Sequence, residues 1–162
     1  MPEPTAATPT RLSSLADELL DALVDAADEL GIELPQRKVV ADGAVAWDCP
    51  LVAVALPTIT RGVPGQELVA RNLPSDSYVA EYGLWLLRPV PMPGDDGSPP
   101  PAAKVSASGH QLMDDGYLLT VGMRTRLRTI GQACTALAQG TTSAQGPEGG
   151  LAGWSSTVRV GV

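Results

Sequence analysis

The chain has 162 residues and a formal net charge of −7, and 44% of its residues are hydrophobic. This length suits one domain, since two domains would each lack the residues for a sizeable core. The acidic balance and the absence of a basic stripe argue against nucleic-acid binding by phosphate neutralisation. Aromatic residues are only 4% and Phe is absent. Leu, Val and Ala must therefore fill a light core, which favours stabilisation by oligomerisation.

The amino terminus and the cysteines indicate where the chain works. Residues 1–10 are rich in Pro, Thr and Ala and are predicted to be a disordered lead-in, with one domain over residues 11–162. These residues contain neither the basic nor the apolar segment of a signal peptide, so we expect none, and no apolar run reaches bilayer length. Cys49 and Cys134 show neither metal-ligand spacing nor a CxxC pattern. We expect two reduced thiols, and a chain inside the cell or in a soluble particle.

The first predicted element is an amphipathic helix. Leucine and alanine recur at three- and four-residue steps from Leu12 to Leu30, the period of a helix with one buried face. Thr10 or Ser13 can cap its start, and Gly31 can supply a left-handed stop. Six acids without a basic partner occupy the outer face, so burial of the leucine stripe must hold the helix. These acids are Asp17, Glu18, Asp21, Asp25, Asp28 and Glu29.

Strands are predicted next. Residues 37–41 and 44–47 are short extended segments around a turn at Asp42 and Gly43. Residues 51–59 begin with a run that is apolar on both faces, as in a central, covered strand. Residues 77–90 are a longer strand candidate, and the proline-rich stretch 89–101 is an exposed loop.

Helices and a final strand complete the predicted order. Residues 102 to about 113 and roughly 117–137 are predicted to be helices, and residues 140–150 a mobile loop. The second helix is expected to direct Leu118, Val121, Leu127, Ile130 and Cys134 toward the core. Residues 154–162 form a strand that returns to the sheet at an edge or beside the first strand. The predicted fold is α+β: an antiparallel or mixed β-sheet with helices packed on one face.

The sequence offers no residue set arranged for catalysis. His110 is the only histidine, and Asp114 would share a helix face with it. A general base also needs a nucleophile within reach, and nothing around Cys49 favours a thiolate. No phosphate-loop, dinucleotide, zinc-protease or serine-hydrolase motif occurs, and the acid pairs at 95–96 and 114–115 lack the spacing of a calcium loop. We predict a protein that is not an enzyme and needs no metal or other cofactor.

Two features predict contact with other chains. The C-terminal strand can present an open edge to a neighbour, although it can equally be an interior strand. The connections over residues 61–75 and 89–101 are long for a small domain, and loops of this length are usually either functional or disordered.

Three stretches carry a resemblance to a known family. Ala-Trp-Asp-Cys-Pro at 46–50 precedes the apolar strand at 51–56. Leu-Leu-Arg-Pro-Val-Pro at 86–91 precedes an acidic, proline-rich loop and a helix, and a glycine-rich stretch at 146–154 ends at Trp154. In pattern and order these stretches resemble the tail terminator proteins of long-tailed phages (siphophages) that infect actinobacteria.

The resemblance implies a role in virion assembly. Such proteins have an α/β subunit with a sheet flanked by helices, and they form a hexameric ring. The ring caps the tail tube, stops polymerisation of the major tail tube protein, and presents a surface to the head-closure (stopper) protein. DNA passes through without specific binding, and no membrane is involved. The implied location is the head–tail junction of the virion, and the host cytoplasm during assembly.

Two sets of residues are candidates for these contacts. The interface set comes from the long loops and the last strand: Arg61, Gln66, Arg71, Asp95, Asp96, Trp154 and Arg159. The second set is expected to line the channel, where negative charge would keep DNA from adhering: Asp17, Asp21, Asp25 and Asp28. The alternatives are a stopper or adaptor, a tail-tube subunit, a monomeric binding domain, and an enzyme that uses His110 or Cys49.

Overall fold

The structure, a computed structural model, describes residues 9–62, 78–134 and 136–161. Three helices, one π-helical turn and five strands occupy these ranges. The helical elements are α1 (Pro9–Leu30), α2 (Ala102–Tyr117), the π-helical turn (Leu118–Gly122) and α3 (Met123–Gln132). The strands are β1 (Lys38–Ala41), β2 (Leu51–Arg61), β3 (Tyr78–Pro89), β4 (Leu137–Glu148) and β5 (Leu151–Gly161).

One mixed sheet joins the strands in the order β1-β2-β3-β5-β4. β1 runs parallel to β2, and the other neighbouring strands are antiparallel. This confirms the predicted α+β class, with an amphipathic helix first and a strand last. The prediction that the last strand lies at an edge or beside the first strand is wrong. β5 lies inside the sheet because β4 pairs with its outer side.

The helices cover one face of the sheet, as predicted, and the main core lies between the two layers. Each buried leucine or valine in such a core contributes roughly 1.5–3 kcal/mol relative to exposure. From the sheet, the core receives Val52, Val54, Ala80, Tyr82, Leu84, Leu86, Val158 and Val160. From the helical layer, it receives Leu15, Leu19, Leu23, Leu118, Leu119, Met123 and Leu127.

The predicted stripe and stop of α1 are confirmed. Leu19 and Leu23 are fully buried. Gly31 has a φ of 66°, a conformation that glycine adopts without strain, and the Ile32 amide then donates to the Ala27 carbonyl at 2.9 Å. This left-handed residue ends the helix and turns the chain toward β1.

The opposite face of the sheet carries a smaller apolar cluster. Leu51, Ala53 and Leu87 are buried there, and Trp47 meets Trp85 edge-to-face with ring centroids 6.3 Å apart. The prediction of a strand over residues 44–47 is wrong. β1 pairs in parallel with β2 instead of forming a hairpin with these residues, which leaves them to cover the cluster.

The prediction of a mobile loop over residues 140–150 is also wrong. Residues up to Glu148 belong to β4, and only Gly149 and Gly150 form the turn into β5. β4 is an edge strand, and its side chains are at most half-buried, so a polar composition suits it. A Cβ atom on Gly140 would overlap the Thr157 hydroxyl of β5. That glycine therefore permits close strand pairing and does not mark a flexible linker.

The helical region differs from its prediction in bounds and in orientation. α2 continues to Tyr117, the π-helical turn follows, and α3 ends at Gln132, short of the predicted residue 137. A π-helical turn inserts an extra residue and rotates the side chains that follow it. Within this turn Leu118 and Leu119 are both buried, whereas Val121, a predicted core residue, is 42% exposed.

Candidate interaction surfaces

The structure does not bring together His110 and Cys49, the two residues considered for the enzyme alternative. His110 and Asp114 are exposed on α2, which packs on the helical face of the sheet. Cys49 packs against the cluster on the other face, where it accepts a hydrogen bond from Arg37 Nη1 at 2.6 Å. Within residues 9–62, 78–134 and 136–161, no group of three or more His, Cys, Asp or Glu side chains could hold a metal ion.

A buried ion pair fastens three parts of the fold. Arg88 on β3 donates to both carboxylate oxygens of Asp115 on α2, from Nε at 2.5 Å and from Nη2 at 2.8 Å. Nη2 also donates to the Glu33 carbonyl at 2.6 Å, beyond the end of α1. Burial raises the pKa of Asp115, and the hydrogen bonds from Arg88 offset part of that rise. The pair therefore holds the sheet, α2 and the segment after α1 in one arrangement.

This pair escaped the sequence analysis, although the sequence contains a signal for it. In β3 the residues Tyr82, Leu84 and Leu86 point to the helical layer, and Arg88 continues that alternation. An arginine on the buried side of a strand requires an acidic partner, because an unpaired buried charge is very unfavourable. Its partner lies in a helix whose orientation the sequence alone does not give.

A cleft of about 460 Å³ lies above this ion pair. Leu30 and Tyr117 form apolar parts of its wall, and Glu33 and Asp114 lie on the rim. Arg88 could attract an anion into the cleft. However, it already donates three hydrogen bonds, two to the Asp115 carboxylate and one to the Glu33 carbonyl. The cleft therefore presents an acidic and apolar rim over a basic group that is already paired.

The outer surface of α1 is acidic, but the prediction that none of its acids has a basic partner is wrong. Arg126 of α3 lies 3.4 Å from Asp25 and 2.9 Å from Glu29. Sequence spacing missed this contact because it joins two helices that are distant along the chain. Three exposed acids of α1 have no partner among the residues that the structure describes: Asp17, Asp21 and Asp28. We call these three the acidic stripe.

A basic groove lies over the other edge of the sheet, in the same helical layer. It has a volume of about 370 Å³ and runs between α3 and the start of β4, over Leu127 and Leu137. Arg124 and Arg128 line it, and both are exposed and form no ion pair with any described residue. β4 beside the groove is the edge of the sheet and carries no charged side chain before Glu148. We call this surface the arginine groove.

The predicted interface residues from the loops lie at the two ends of the sheet. Asp95 and Asp96 are exposed in a turn of the loop that follows β3, and hydrogen bonds from Ser98 lower the pKa of Asp96. Arg61 is exposed at the opposite end, where β2 stops. The remaining two predicted residues, at positions 66 and 71, lie outside the described residues.

The predicted interface residues of the last strand make contacts inside the chain. Trp154 is half-buried on the helical face of β5, where Gly116 of α2 passes so close that a Cβ atom there would lie 2.9 Å from the indole ring. Arg159 donates to Glu81 of β3 at 2.7 Å on the face of the sheet opposite the helices. Both side chains contribute to pairing and packing within the subunit.

The three stretches that carry the family resemblance meet at one end of the sheet. Leu51 at the start of β2 pairs with Leu87 of β3. Leu87 also pairs with Gly153 of β5, and Pro89 pairs with Leu151 beside the β4–β5 turn. The loop that contains Asp95 leaves from the same end. Stretches separated by up to about a hundred residues of sequence thus lie side by side at one end of the sheet, which we call the loop end.

Comparison with known proteins adds no relative to this description. No protein-family model matches the chain, and no curated protein matches it. None of the helices among the described residues is long and apolar enough to cross a membrane.

Proposed function

We propose that the chain is a tail terminator of a long-tailed phage. In this role, copies of the chain form a ring that caps the tail tube, stops polymerisation of the tube protein and joins the tail to the head-closure protein. The resembled family forms hexamers, and we propose the same ring size here. The role is structural: it requires contacts between surfaces and no bond-making chemistry.

The observation that carries this proposal is the formation of the loop end. The resemblance lies in three separate stretches, and strand pairing gathers all three at one end of one sheet. If the resemblance were a chance similarity of composition, nothing would require these stretches to be neighbours. If the three stretches contribute to one contact with another protein, they must be neighbours in the folded subunit.

The layout of the subunit suggests how a ring would limit growth. Copies placed side by side would contact each other through the sides of the sheet and the helices above them. The two ends of each sheet would then form the two faces of the ring. These ends differ, since the loop end carries the proline-rich loop and the other end carries the strand terminus at Arg61. Only one face would match the tube, so addition of subunits would stop there.

The proposal is tested by adding the purified chain to polymerising major tail tube protein and imaging by negative stain. We expect closed rings at one end of the tubes and a tube length that shortens as the chain is added. Long cylinders made of the chain alone would indicate a tube subunit. Rings that bind head-closure protein but leave tube length unchanged would indicate a stopper or adaptor.

A matched pair of variants tests which ring face meets the tube. Asp95→Arg reverses a charge at the tip of the loop end, where the carboxylate makes no hydrogen bond to any described residue. Asp42→Arg makes the same change at an exposed turn elsewhere. We expect capping to weaken in the first variant and to persist in the second. Equal capping by both would assign the tube contact to the other end.

A further inference from the structure

We propose that neighbouring copies of the chain join by docking the acidic stripe of one copy (Asp17, Asp21, Asp28) into the arginine groove of the next (Arg124, Arg128). This inference rests on the proposed function, because it names the contact that would close the ring. It assigns the acidic stripe to the seam between subunits and not to the wall of the channel.

The two surfaces lie over different halves of the sheet. α1, which carries the stripe, packs over β1 and β2, whereas α3 packs over β4, at the other edge. A copy can therefore use its stripe with one neighbour and its groove with another. Such a head-to-tail contact is heterologous, and it closes into a ring when the rotation between copies permits.

The charges match in sign and spacing. Asp17 and Asp21 are four residues apart on α1, and Arg124 and Arg128 are four residues apart on α3. At 1.5 Å per residue, each pair is separated by about 6 Å along its helix axis. Two helices lying side by side can thus place each carboxylate opposite a guanidinium. The apolar floor of the groove, Leu127 and Leu137, would be covered by the same contact.

The subunit already contains one contact of this kind. Arg126 of α3 binds Asp25 and Glu29 on the side of α1 that faces it. The stripe lies on the solvent-facing surface of the same helix, and the two groove arginines lie on the side of α3 that faces away from Arg126. The unpaired groups therefore repeat the acid–arginine pairing between these helices, but only a second copy can complete it.

Charge reversal on each side provides the test. Asp17→Lys with Asp21→Lys puts lysines on the stripe, and Arg124→Glu with Arg128→Glu puts acids in the groove. For each charge-reversed variant alone, we expect the protein concentration at half-maximal assembly to rise about tenfold or more, because like charges then face each other. Sedimentation velocity measures this concentration. An equimolar mixture should assemble like wild type. In a ring where the two proteins alternate, every seam again joins opposite charges.

The control reverses the same number of charges elsewhere. Glu33→Lys with Asp42→Lys changes two exposed acids outside the stripe and should assemble like wild type. Circular dichroism of all variants checks that each is folded. The side chains at all substituted positions are exposed and do not pack in the core.

The outcomes separate the inference from the proposed function. If wild type forms rings that neither reversal weakens, the seam lies elsewhere and the inference is overturned, while the proposed function stands. If each reversal weakens assembly but the mixture does not recover, the two surfaces do not pair with each other. If wild type forms no ring even with tail tubes present, the proposed function itself fails.

Discussion

Removing one partner of the buried Arg88–Asp115 pair should destabilise the fold far more than breaking an exposed ion pair would. The Asp115 side chain is 0% exposed and that of Arg88 is 11% exposed. In Asp115→Asn the guanidinium stays buried without a counter-charge, a loss of about 3–5 kcal/mol in the free energy of unfolding. A protein of this size is stabilised by only about 5–15 kcal/mol in total. At about 2–4 °C per kcal/mol, Tm should fall by about 6–20 °C.

Two further variants make this expectation specific to the pair. Asp114→Asn changes the neighbouring carboxylate, which is exposed on the same helix, and should shift stability by no more than about 0.5 kcal/mol. Arg88→Met with Asp115→Leu removes both charges and should recover much of the loss, since neither is left unpaired. Thermal and urea unfolding followed by circular dichroism give the values. Equal losses for the two Asn variants, or a double variant worse than Asp115→Asn, would refute the reasoning.

Three other changes probe the sheet and its contacts with the helical layer. Gly153→Ala places a Cβ atom against a backbone carbonyl of β3 and should cost about 1–3 kcal/mol in urea unfolding. Burial raises the pKa of Tyr82 from 10.0 to about 12. The contribution of the neutral phenol to the free energy of unfolding is therefore complete below pH 10 and is lost as pH rises toward 12. Tyr82→Phe should remove that alkaline dependence, and at neutral pH it should lose about 1 kcal/mol with the hydrogen bond to the Leu12 carbonyl. Gln139→Leu removes a 2.7 Å bond to the Leu119 carbonyl, so amide hydrogens at the start of β4 should exchange faster.

The sequence predicts best those parts of the fold in which the local residue pattern alone determines which side chains must be buried. The leucine stripe of α1 and the doubly apolar start of β2 each require a particular burial, and the structure provides it. The glycine at position 31 stops α1 because few other residues adopt a positive φ readily. In these cases local pattern and tertiary position agree.

The parts that escaped prediction depend on a neighbour that local pattern does not contain. β4 has the composition of a loop, and it becomes a strand because β5 offers it a pairing edge. Val121 follows helical spacing from Leu118, yet the π-helical turn directs it to solvent. Arg126 finds its acids on a helix about a hundred residues earlier. The first and the last of these are contacts between distant segments, and the second is a change in helix geometry that residue spacing does not reveal.

The buried Arg88–Asp115 pair differs from the charges of the acidic stripe and the arginine groove, and this difference is relevant to the function of those two surfaces. Exposed ion pairs contribute only about 0.2–1 kcal/mol each, so leaving Asp17, Asp21, Arg124 and Arg128 unpaired costs the isolated subunit little. Folding stability therefore explains neither their positions nor their matching spacing. Arg88 is different, because the fold cannot tolerate it unpaired and supplies Asp115 within the same chain. Charges that the subunit does not need for its own stability are the ones available to a neighbour, and on this chain they lie over opposite halves of one sheet.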